Sequence, residues 1–137
     1  MTMLPPLERA ALMGCVGVSA EVVFTALTAP SGGKRLIGYS YLWMIPLYAL
    51  LYPGFALLLP FVGDWAWPWR ASIYAAGILF FELVTGLILH AALGEAPWEP
   101  NYRGHRWCVL GVMRLDYFPA WAAGALVFER AFRLIAG

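Results

Sequence analysis

From Leu36 to Gly63 the chain carries no Asp, Glu, Lys or Arg. A run this long and this apolar leaves few folds open, because a helix of about 20 apolar residues at 1.5 Å each is what crosses a bilayer. Two further stretches have the same character. Ala10 to Gly33 contains one charge, Glu21, and Ala71 to Gly94 contains only Glu82 and His90 among its acidic and basic residues. Tyr117 to Phe128 is also uncharged but short; starting near Val112 or Leu115 and running to Ile135, it reaches spanning length, with Arg114 and Arg130 snorkelling toward opposite surfaces.

Composition agrees. Of 137 residues 62% are hydrophobic and 12% charged, about half the charged share of a soluble domain. This excludes a disordered chain and a disulfide scaffold, and a net charge of +1 provides no field for nucleic acid. Cys15 and Cys108 sit in or beside apolar stretches and serve as small apolar filler. Leu12-Met13-Gly14-Cys15 loosely matches a lipoprotein cleavage box. Only Ala10 to Gly14 precede that cysteine after Arg9, short of the roughly 7–15 residues a signal core needs, so a retained membrane helix is expected.

The expected fold is therefore all-α: a single transmembrane domain over 1–137, an integral membrane four-helix bundle with spans at about 10–29, 37–62, 71–93 and 112–135. The connections Pro30–Arg35, Asp64–Arg70 and Glu95–Arg106 are too short to cross a membrane, so neighbouring helices are antiparallel and both termini share one side. Trp65, Trp67, Trp69, Trp98 and Trp107 flank these connections at the expected headgroup level. Pro46, Pro53 and Pro60 predict a second helix kinked, or broken near Pro53-Gly54. Basic residues balance across the two sides, so the positive-inside rule selects no orientation.

Charges near the bilayer centre are costly, at about 2.5–3.5 kcal/mol on insertion scales, so Glu21 and Glu82 require a reason. Each lies about 16 Å from the start of its apolar stretch, close to mid-bilayer. The first and third helices run the same way, so the two carboxyls share a depth and are expected to interact, directly or through one intermediary. Thr25 and Thr85 fall on the same helical faces as these acids and complete a candidate intramembrane polar site of Glu21, Thr25, Glu82 and Thr85. The site is either a hydrogen-bonded latch or a proton, cation or acid/base site. Gly14, Gly17, Gly77, Gly86, Gly111 and Gly124 suit close helix packing.

Arg70, Arg103 and Arg106 are candidate contacts for lipid phosphate. Pro97, Pro100 and Gly104 argue against a helix through the third connection, which Trp98, Tyr102 and Trp107 should pin to the surface. Glu129 and Arg133 form an i,i+4 pair, whereas Arg114 and Asp116, two apart, should each meet another element. No phosphate loop, dinucleotide fingerprint or H-E-x-x-H motif occurs, and His90 and His105 have no metal-ligand spacing to either cysteine. No cofactor or metal is expected.

Several segments together carry a resemblance: Glu21-Val-Val-Phe24-Thr25-Ala26 after a glycine-rich start, Tyr41-Leu-Trp43-Met44-Ile-Pro46-Leu-Tyr48, Phe81-Glu82-Leu-Val-Thr85-Gly86, Pro97-Trp98, and Pro119-Ala-Trp121 with Gly124 and Glu129. In order and spacing these resemble the transmembrane protein 229 family and the related bacterial family labelled ABC-transporter type IV, over nearly the whole chain. The resemblance implies a four-pass protein of a bacterial inner membrane without established biochemistry. An ATP-driven role would need another subunit, since no nucleotide-binding domain is present. Three roles fit the residues: an accessory or transport-related subunit or small homo-oligomer, a membrane-embedded enzyme using the glutamates as acid/base groups on a lipid or isoprenoid, and a proton- or cation-conducting oligomer. Membrane lipids and a second membrane subunit or further copies of the chain are the expected partners.

Overall fold

The computed structural model describes residues 3–28 and 33–137. The chain is mostly helical, in the order α1 (Pro6–Thr28), α2 (Met44–Ala49), α3 (Leu51–Val62), α4 (Trp67–Leu93), α5 (Glu99–Tyr102), strands β1 (Cys108–Val109) and β2 (Met113–Arg114), and α6 (Phe118–Ala136). Among the described residues three helices are long and apolar enough to cross a membrane: Pro6–Thr28, Met44–Val62 and Trp67–Leu93. Between 17% and 28% of their apolar windows is buried within the chain, and large apolar side chains such as Leu27, Phe61 and Phe80 are exposed.

Two compact units divide the chain. Unit 1 is Met1–Gly63 with Val127–Gly137, and unit 2 is Asp64–Leu126. In unit 1, α2 and α3 pack along α1. Glycines set that approach: a Cβ at Gly14 would lie 2.7 Å from the Ile45 carbonyl oxygen, and one at Gly17 would overlap the Tyr48 ring. The end of α6 joins them through Phe128 against Tyr48 and through Phe132 against Tyr52 and Phe55. Arg9 donates to Tyr52 Oη at 3.2 Å and to the Ala136 carbonyl at 3.3 Å. This brings a cation to a helix C-terminus, where it is favoured, and sets the start of α1 beside the end of α6.

In unit 2, α4 stops at Gly94, whose left-handed backbone (φ 83°) lets its N–H cap the His90 carbonyl at 2.8 Å. The 94–117 connection then forms the one-turn α5 and a small antiparallel hairpin, Cys108 opposite Arg114 and Val109 opposite Met113. The hairpin turns on Leu110 and Gly111, both at positive φ, and its second strand packs on α4, with Val112 against the bare backbone of Gly86.

α1 and α4 each begin four residues before the expected spans, and the larger departures are in the second and last helices. The second begins at Met44, not near residue 37, so Pro46 falls in a first turn, where its missing N–H costs nothing. The expected break near Pro53 falls at Leu50, a turn before it, because Pro53 has no N–H for the Ala49 carbonyl and its ring crowds that carbonyl. The last helix begins at Phe118: the hairpin and a 3-10 turn occupy 112–117, where the sequence suggested helix. With Glu129, Arg130 and Arg133 within its length, α6 is not among the three apolar spans. Of the Pro30–Arg35 connection, Pro30, Ser31 and Gly32 lie outside the described residues, and Gly33–Arg35 form a 3-10 turn.

Candidate intramembrane polar site

Glu21 on α1 and Glu82 on α4 each meet a tyrosine of their own unit. On α1, Glu21 follows Gly17 by one turn, and the Tyr48 ring lies over the space that Gly17 leaves. From there the Tyr48 hydroxyl donates to Glu21 Oε2 at 2.6 Å. On α4, Glu82 is 9% exposed and accepts from the Tyr102 hydroxyl at 2.6 Å through Oε1. Both distances lie at the short end of the O–H···O range.

The two threonines of the expected site act elsewhere. Thr25 Oγ1 donates to the Tyr39 carbonyl at 2.9 Å and accepts from the Tyr39 N–H at 2.8 Å, clamping the segment before α2 onto α1. Thr85 Oγ1 donates back to the Phe81 carbonyl of its own helix at 2.7 Å. Sharing a helical face brought neither hydroxyl to its carboxyl: backbone groups of Tyr39 and Val22 engage Thr25, and for Thr85 the i−4 carbonyl is a closer and always available acceptor. Of the glycines, Gly14, Gly17 and Gly86 serve close contacts, Gly111 serves the turn, and a Cβ at Gly77 or Gly124 would meet open space.

Around Glu82 the connection supplies a connected polar group. Tyr117 stacks edge-on to Tyr102 with ring centroids 5.7 Å apart. The Arg114 guanidinium lies 4.1 Å from the Tyr117 ring centroid and 5.7 Å from that of Tyr102. It donates to Tyr117 Oη at 2.8 Å, grips Asp116 with two bonds of 2.6 and 3.1 Å, and stands 2.9 Å from His105 Nε2. The Arg114–Asp116 bond holds the Asp116 carboxyl below its ordinary range and the guanidinium above its own. That pairing corrects the expectation that these residues meet different elements, which held only for a helix. At a strand-to-turn junction, residues two apart converge.

A second cluster fastens the connection to the end of α4. Glu99, 2% exposed, accepts the Ala96 N–H at 2.9 Å, contacts His90 Nδ1 at 2.6 Å and accepts from Arg103 at 2.7 Å. The Ala96 N–H foremost, then His90 and Arg103, hold its carboxyl at about 2 instead of 4.5. A depressed carboxylate contributes stability above its unfolded value and loses it as pH falls through its folded value. The parent protein should therefore lose thermal stability between about pH 4.5 and pH 2, and Glu99→Gln should flatten that decline. Equal melting profiles for the two would show that the Glu99 clamp contributes nothing.

The arginines nominated for lipid phosphate are partly engaged within the chain. Arg103 bonds Glu99 and lies 3.2 Å from Glu95, and Arg70 donates to the Trp65 carbonyl at 2.7 Å. Arg106 lies over the half-exposed Trp107 ring at 5.3 Å, the one of the three whose described contact leaves an interfacial role intact. Trp98 and Tyr102 are buried instead of lying at a surface: Trp98 Nε1 donates to the Val112 carbonyl at 2.7 Å, and Tyr102 faces Glu82. Glu129 and Arg133 pair at 3.3 Å. Among the described residues no cluster of three His, Cys, Asp or Glu side chains is placed to hold a metal ion.

Tyr48, Tyr102, Tyr117, Glu99 and His90 were not singled out from sequence as site residues. The available signal was the Glu95, Glu99, Arg103 ladder at four-residue steps, hidden in a proline-rich stretch. Compared with family models, curated proteins and solved structures, the chain gives no match.

Proposed function

We propose that this chain is a four-span integral membrane protein acting as an accessory, transport-related subunit, with its two intramembrane glutamates latched by tyrosines. The proposal includes membership of the transmembrane protein 229 and ABC-transporter type IV families, the bacterial inner membrane, and partners among lipids, copies of itself or another membrane subunit. In it α6 is the fourth span, joining α1, α2–α3 and α4 in a bundle.

The observation that carries it is the contact of Arg9 with the Ala136 carbonyl. This contact keeps the start of α1 beside the end of α6, as an even number of crossings requires. The open apolar surface of the three long helices supports a role among other membrane components, since 17–28% of their apolar windows is covered within the chain. The closure of each carboxyl by a phenol hydroxyl at 2.6 Å supports the latch.

Topology is the test. With Cys15 and Cys108 replaced by Ala, single cysteines at Leu4 and Ala136 should react with an impermeant maleimide from the same side of sealed vesicles. Labelling from opposite sides would overturn the four-span proposal.

A further inference from the structure

We propose that Glu82 is an exchangeable proton site that communicates with water through the 94–117 connection. Its surroundings differ in kind from those of Glu21. The Tyr48 hydroxyl meets Glu21 over a ring packed between Gly17 and Phe128. From Glu82, by contrast, polar groups continue outward. Tyr102 bonds the carboxyl, Tyr117 abuts Tyr102, Arg114 bonds Tyr117 and Asp116, and His105 lies against Arg114. The outer members are wet: the side chains of His105 and Asp116 are 39% and 28% exposed.

The chemistry of the pair allows exchange. A phenol is both donor and acceptor. The carboxylate of Glu82 accepts the Tyr102 O–H, and the carboxylic acid donates its own O–H to the same phenol oxygen. The contact therefore survives a change of charge. One proton passes from hydronium to a Glu82 oxygen, one O–H bond breaking as the other forms and water being left behind, and it returns to water by the reverse step. Asp116 neutralises Arg114 at the outer end, Arg114 bonds the Tyr117 hydroxyl, and Tyr102, in edge-on ring contact with Tyr117, bonds the acid. The charged or titratable groups of this cluster are Tyr102 from α5, Arg114 from β2, Asp116 and Tyr117 from the turn before α6, and His105 from the loop. Loss or gain of one proton at this position changes the charge of an apolar span by one unit, the chemical step that proton-linked membrane proteins use. The inference is independent of the number of spans.

Infrared titration of the intact protein in lipid nanodiscs tests it. A carboxylic-acid C=O band should appear as pH is lowered, and Glu82→Gln should remove it. Glu82→Asp, which withdraws the acid from Tyr102, should shift it. Tyr102→Phe, which keeps the ring and deletes the hydroxyl, should move the midpoint of that band by about one pH unit or more, the scale on which a lost hydrogen bond to a charged group acts. Circular dichroism establishes that each variant retains its helices. The proposal is overturned if the Glu82 band does not change over roughly pH 4–10, a range that spans the ordinary carboxyl and phenol values. It is equally overturned if Tyr102→Phe leaves the midpoint where it was.

Discussion

Gly17→Leu should destabilise the protein by about 3 kcal/mol or more, the upper part of the range for overpacked cores. A side chain at residue 17 has no free volume, since even a Cβ would overlap the Tyr48 ring. Displacing that ring also breaks the hydrogen bond to Glu21 and the contact with Phe128. Gly17→Ala should show the same sign with a smaller loss. Gly77→Ala is the control: nothing lies within 4 Å of a Cβ there, so the higher helix propensity of alanine, up to about 1 kcal/mol, should act alone. Thermal unfolding in one mild detergent compares the three. Equal effects at Gly17 and Gly77 would mean that α2 does not pack on α1 as described.

Tyr102→Ala should cost about 3–5 kcal/mol, the range for removing a buried aromatic ring. Tyr102→Phe should cost far less. Hydrogen bonds between helices in membranes average about 0.6 kcal/mol and reach about 1.7 kcal/mol. A short bond to a carboxylate belongs near the top of that range. The alanine variant loses the ring contact with Tyr117, the cation contact with Arg114 and the partner of Glu82 together. Proteolysis within 94–117 should accelerate in Tyr102→Ala and stay near the parent rate in Tyr102→Phe. Equal rates for both variants would show that the hydroxyl, not the ring, holds the connection.

The apolar helices were legible because spanning length and absence of charge are properties of a segment alone. Three long helices occur where the uncharged stretches predicted them, although Leu36–Trp43 stays outside the second. Glu21 and Glu82 were also legible as costly residues in need of partners. The partners were not. Tyr48 lies 27 residues from Glu21 and Tyr102 lies 20 from Glu82, and no helical periodicity links them. The threonines at three- and four-residue spacing were the local candidates, and local backbone carbonyls outcompeted the carboxyls for Thr85. Arg114 and Asp116 were misplaced for a related reason: extending a short uncharged run backward to Val112 made helix of a segment that Gly111 turns into a hairpin. Trp98 and Tyr102 resemble interface anchors in composition, but burial by the fold gives both their hydrogen-bond partners.

The claim that Glu21 and Glu82 are each held by a tyrosine is tested most directly by a double-mutant cycle on Glu21 and Tyr48. Glu21→Leu removes the carboxyl that the Tyr48 hydroxyl bonds, and Tyr48→Phe removes the phenol donor from that carboxyl. The double variant removes both groups of that hydrogen bond at once. It should therefore lose less stability than the two single losses combined, with a coupling of about 1–2 kcal/mol in detergent unfolding. Single losses that simply add, within about 0.3–0.5 kcal/mol, would contradict the account.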